Sequence, residues 1–164
     1  MDATTKRKRD EQVRRLVSKL LAPFGLARTK PTYWTRPRES VVEFVHLHLY
    51  TFGPVFRIHL GIHVLNDPRD FVALNGPQST FWQDKGKFHF AERPEEVERC
   101  AREVLEWCER VGEPWFAKWR DPELLLDSTQ SPLDDTEKVA LRASRDGAPN
   151  GEFVARSRKE LGVA

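Results

Sequence analysis

Four of the five histidines, His46, His48, His59 and His63, fall in two runs, Val41 to Tyr50 and Val55 to Val64. The link between them, Thr51-Phe52-Gly53-Pro54, has the composition of a turn. In the second run Phe56, Ile58, Leu60, Ile62 and Val64 alternate with Val55, Arg57, His59, Gly61 and His63. A period of two marks a strand with one buried face. A hairpin that sets Tyr50 opposite Val55 brings His46 against His59, His48 against Arg57, Phe44 against Gly61 and Val42 against His63. His46, His48, Tyr50, Arg57, His59 and His63 then share one face. A slip of one residue would bury Arg57 and expose Ile58, so this register is specified by burial.

Such a face has three chemical readings. His46, His48 and His59 form a candidate metal site, because His-x-His on a strand puts both rings on one side and imidazole suits Zn, Cu, Ni or Fe. The pattern supplies no carboxylate ligand. Glu43 alternates with Phe44 and points to the opposite face, and Asp67 and Asp70 would have to fold back. Arg57 with protonated histidines would instead meet phosphate or carboxylate. The plainest reading is an outer sheet face of alternating polar residues that is solvated or binds a partner. Without a supporting shell for a metal, the pattern favours this last reading, and no cofactor is expected.

Other chemistry finds less support. Cys100 and Cys108 lie eight apart on one helical stripe, about 12 Å at 1.5 Å per residue, too far for a disulfide and placed as buried structural thiols. Gly-rich phosphate loops and a Gly-x-Ser-x-Gly elbow are missing from the sequence. Trp115, Phe116 and Trp119 sit in a short turn after the second helix and read as core anchors.

The elements that must hold the histidine face follow from the same periodicities. Val13, Leu16, Val17, Leu20 and Leu21 make one apolar stripe on a first helix, with Arg14, Arg15 and Lys19 on its polar face. Lys6 to Arg9 oppose the macrodipole, so fraying is expected there. Thr32 to Arg36 reads as a first strand, Pro37 to Ser40 as a turn, and Lys87 to Ala91 as a short fourth strand. Residues 66 to 87 are irregular, with Phe71, Leu74, Phe81 and Trp82 as expected apolar anchors. Pro94 to Val111 is the strongest helix, started by Pro94 and ended by Gly112. Asp121-Pro122 and Asp134 start further short helices.

The expected architecture is α+β: an antiparallel sheet of about four strands with two main helices packed on one face. Residues 1–127 form that single domain. Residues 128–164 are expected as a helical appendage or partly ordered tail.

Four stretches carry a family resemblance: Leu21-Ala22-Pro23-Phe24-Gly25-Leu26; Trp34 with Val42 to Leu49; Phe56-Arg57-Ile58-His59-Leu60-Gly61-Ile62; and Glu113-Pro114-Trp115-Phe116 with Asp121-Pro122-Glu123-Leu124-Leu125. Together they resemble the bacterial family known as domain of unknown function 4304, over residues 10 to 127. The resemblance implies a fold and a bacterial source, and supplies no catalytic residues. Proteins of this build are often immunity or accessory proteins beside toxin and defence genes, which is association rather than mechanism.

Composition bounds the rest. The 164 residues hold 27 Lys plus Arg and 25 Asp plus Glu, a formal charge of +2, at a mean hydropathy of −0.60. So small a net charge argues against a dedicated nucleic-acid binder. The polar N-terminus, reduced cysteines and lack of a long apolar run lead to an expected cytoplasmic location without a membrane span. Residues 1 to 64 hold 12 basic and 5 acidic side chains, whereas residues 65 to 127 hold 9 and 14. A protein partner, such as a toxin or defence component, is therefore the expected ligand, and acidic residues of the second helix would suit a basic one. The competing expectation is a metal-dependent enzyme on the histidine face.

Overall fold

The computed structural model describes residues 1–164. Helix α1 runs over Ala3–Leu21 and reaches the N-terminus because the Asp2 carboxylate caps it, accepting from Thr5 N–H at 2.9 Å. The cap offsets the basic residues that predicted fraying. Pro23 and Gly25 end the helix as expected, and Gly25 takes φ 76°, where a side chain would be strained.

Four antiparallel strands follow in sheet order β1-β2-β3-β4: β1 (Ala27–Lys30), β2 (Tyr33–Arg38), β3 (Val41–Leu49) and β4 (Phe56–Val64). The fold is α+β, as the sequence predicts. Its first strand, Ala-Arg-Thr-Lys, is short and carries no apolar alternation, which is why it was not anticipated. The expected turn at Pro37 to Ser40 is tighter: Pro37 and Arg38 continue β2, and Glu39 turns at φ 41°. The expected strand at Lys87 to Ala91 is a single bridge between His89 and Val55.

Helix α2 (Pro94–Trp107) starts at Pro94 but does not end at Gly112. A π-helical turn, Cys108–Gly112, carries the chain on into α3 (Glu113–Lys118), with Gly112 lying against the Leu60 side chain. Helix α4 (Pro122–Asp127) has Asp121 as its cap, and α5 (Asp135–Arg145) has Asp134 in a capping box with Glu137. Helix α6 (Gly151–Leu161) is capped by Asn150 and ends at Gly162.

The main core lies between α1, α2 and one sheet face, where Val13, Val17, Leu21, Val45, Leu47, Ile58, Leu60 and Val104 pack together. Arg14 is not on the polar face of α1. It is buried, its Nη1 donating to Leu47 O at 3.1 Å and its guanidinium 5.0 Å from the Phe56 ring.

Residues 128–164 do not hang off the domain. Leu133, Ala140 and Leu141 join the main core, and Leu161 of α6 packs on Val42 and Leu65 across the opposite sheet face. Polar ties reinforce this: Asn66 donates to Ala140 O at 3.0 Å, Thr29 Oγ1 to Leu161 O at 2.6 Å, and Arg156 Nη2 to Pro68 O at 2.6 Å. Such ties are invisible to a hydrophobicity pattern, and the tail has few apolar residues of its own.

The charge asymmetry is not cancelled between the helices. The side-chain ion pairs of α1 and α2 run within each helix, as in Arg14–Asp10 and Arg99–Glu103, or from Glu11 down to Arg28 of β1. No helix is long and apolar enough to cross a membrane.

Candidate functional site

The hairpin has the register that the sequence predicts. His46 pairs with His59, His48 with Arg57, Phe44 with Gly61 and Val42 with His63. The Phe44–Gly61 pair explains the glycine: a Cβ on Gly61 would fall 2.1 Å from the Phe44 ring, which lies over it. Glu43 points to the opposite face, where it is buried and ion-paired with Arg36 and Arg120.

The shared face is not uniformly open. At one end α6 covers His63, whose Nε2 lies 2.9 Å from Ser157 Oγ, and burial pushes its pKa below the ordinary histidine value. In the middle, the loop after β4 takes the sheet edge. Gly76 N–H donates to Leu60 O at 3.0 Å, Leu60 N–H to Pro77 O at 2.9 Å, and the Asn75 amide closes on both polar groups of the Ile62 backbone. This pairing satisfies edge groups that would otherwise invite another strand. His59 is buried there, and Arg57 Nη2 donates to Gln78 Oε1 at 2.6 Å. The far end, with His48 and Tyr50, is open.

His46 and His59 are held down to about 4, mainly by burial and then by neighbouring positive charge, including His59 and His48 on His46 and Arg57 on His59. Both are therefore neutral near pH 7, which takes these two imidazoles out of the anion-binding reading as cations. As for the metal reading, His46 lies 5.8 Å from His59 and 6.3 Å from His48 between ring centroids. No group of three or more His, Cys, Asp or Glu side chains in the chain converges closely enough to hold a metal ion. The Cys100 and Cys108 thiols are buried, with burial pushing Cys108 up to about 12, so they are inert as nucleophiles.

The open end continues into something the sequence did not reveal. A run of ring contacts leads from Tyr33 stacked on His46 (4.4 Å), through His48 and Tyr50 (6.0 Å), to Phe52 stacked on Tyr50 (4.7 Å), then Phe81 (5.7 Å) and Trp82 (5.6 Å). Trp82 is 82% exposed and Phe52 66%. The expected anchors Phe71, Leu74, Phe81 and Trp82 are all exposed. The loop is tied by its backbone and by the buried Ser79, leaving its large apolar side chains turned outward. Phe52 at a hairpin tip was the available signal, since a turn residue has no core to enter.

Comparison with known proteins finds no matching family model, no matching curated protein and no matching solved structure.

Proposed function

We propose that this chain is a non-catalytic protein-binding domain that docks a partner through the aromatic end of the β3–β4 hairpin. The observation that carries the reading is the exposed Trp82, in edge contact with Phe81 and continuous through Phe52 with Tyr50. Exposed aromatic clusters of this kind mark interaction sites, and Trp, Tyr and Arg dominate binding hot spots. His48 and Arg57 flank the cluster and supply polar contacts at its rim.

The partner that fits is a protein with an apolar pocket for Trp82. The resemblance to the bacterial family named above makes an immunity or defence-accessory role in the cytoplasm the natural setting, with a toxin or defence component as the ligand. The test is affinity capture from a bacterial lysate, followed by reconstitution of the complex from purified components. The Phe52→Ala/Trp82→Ala double variant is expected to weaken the reconstituted complex by at least about a hundredfold, two hot-spot truncations of about 2 kcal/mol each exceeding that. A complex that forms with unchanged affinity in the double variant rules the surface out.

A further inference from the structure

At the opposite end of the sheet from the aromatic cluster, a cleft of about 560 Å³ opens between the β2–β3 turn and helices α4 and α5. That is within the size range of sites for small organic ligands. Its apolar wall includes Ile62, Leu125 and Leu141, and Arg38, Arg120 and Trp119 line it as well.

The charges around this cleft balance, but its buried hydrogen-bond donors do not all find partners. The Glu43 and Glu113 carboxylates are occupied, while that of Glu39 at the exposed lip is free: Glu43 Oε2 accepts from Arg36 Nε, Glu43 Oε1 from Arg120 Nε at 3.2 Å, and Glu113 Oε1 from Arg36 Nη1 at 3.0 Å. Donors are left over. The Trp119 indole N–H is buried without a partner, and so is Nη2 of Arg36, the ion-pair partner of Glu43. The Arg38 guanidinium approaches Glu43 no closer than 3.6 Å, and Arg120 meets Glu113 at 3.6 Å. At the mouth, Arg145 is paired with Glu123 at 2.7 Å, and Glu39 lines the lip. Buried donors are rarely left unpaired, so a surplus of one kind describes the groups that would complete it. The π-helical turn contributes here, because it delivers Glu113 to Arg36 and Arg120, and such turns recur at functional sites.

We propose that this cleft binds a small amphipathic organic anion, with its oxyanion head on Arg38, Arg120 and the Trp119 N–H and its apolar body against Ile62, Leu125 and Leu141. An oxyanion supplies acceptors and no donors, which matches what the cleft lacks. The apolar wall excludes a bare ion as the best occupant and adds affinity in proportion to the area buried. This site is separate from the docking surface, and neither reading depends on the other.

The experiment is a titration of the full chain with octanoate, followed by the indole N–H resonances, with inorganic phosphate as the head-only control. The Trp119 resonance is identified by its loss in Trp119→Phe or, should that variant not fold, by backbone-linked assignment. Octanoate is expected to move the Trp119 resonance saturably, phosphate to bind at least about tenfold more weakly, and Arg38→Gln to weaken octanoate by about tenfold. The exposed Arg38 side chain makes no hydrogen bond, and Glu43 keeps its bonds to Arg36 and Arg120 without it, so the fold of that variant is checked by an unchanged set of other indole resonances. A Trp119 resonance that stays fixed, phosphate binding as tight as octanoate, or an Arg38→Gln variant that binds octanoate like the wild type would each overturn the proposal.

Discussion

His46 and His59 face one another across the β3–β4 ladder, their ring centroids 5.8 Å apart, and burial holds both imidazoles down to about 4. The pair is therefore an uncharged centre beneath a polar face. An unfolded histidine titrates near 6.5, so acid draws protons to the unfolded chain first. The stability tied to these residues is fully present above 6.5 and is lost as pH falls toward 4. His59→Gln removes one of the titrations. Its stability relative to the wild type is expected to rise steadily as pH falls through that window in urea denaturation, and a pH-independent difference would contradict the assignment.

Glu137 gives the opposite sign. Its side chain is buried, and burial with the Asp134 and Asp67 charges pushes its pKa up from 4.5 to about 7, against the pull of the Asp134 backbone N–H and of Arg69. A raised carboxyl contributes stability that is complete below 4.5 and lost as pH rises through about 7. Glu137→Gln keeps an oxygen to accept the Asp134 N–H, at 2.8 Å in the wild type, and abolishes the titration. The variant is expected to gain on the wild type as pH rises from 4.5 through about 7, the reverse of His59→Gln. Because the two windows overlap, the wild-type profile mixes them and the single variants separate them.

The Phe44–Gly61 pair is a packing constraint with no slack. A methyl at Gly61 would sit 2.1 Å from Phe44 Cζ, so Gly61→Ala is expected to cost about 3 kcal/mol in denaturant unfolding. Phe44→Leu in the same chain is expected to recover part of that loss, as a steric conflict between two residues must be non-additive. Additive losses would place the cost of Gly61→Ala elsewhere.

How much of this was legible in the sequence depends on what kind of signal each feature leaves. Arg57 and Ile58 fix the hairpin register, since a slip exchanges a cation for an aliphatic side chain in the core, and the shared histidine face follows at once. Strand β1 leaves almost no signal, because Ala27, Arg28 and Lys30 are held by pairing with β2 and not by a buried face. His63 looked exposed because its cover, Ser157 of α6, lies 94 residues away and is polar. Phe81 and Trp82 looked buried because large apolar side chains in an ordered loop normally are. Here the order of the loop comes from backbone bonds at Gly76, Pro77 and Ser79, which leaves those side chains free to face outward. The local pattern specified the strands, while contacts distant in sequence decided which part of their face stays open.

That open end makes the accessibility of Trp82 the decisive quantity. Trp34 is fully buried, Trp107 and Trp119 nearly so, and Trp115 is half-buried, whereas Trp82 is exposed. Acrylamide quenching of the free chain is therefore expected to be dominated by Trp82 and to drop in Trp82→Phe. In the reconstituted complex with its protein partner, quenching of the wild-type chain is predicted to fall to the level of Trp82→Phe. A complex in which Trp82 remains as quenchable as in the free chain would contradict the docking surface.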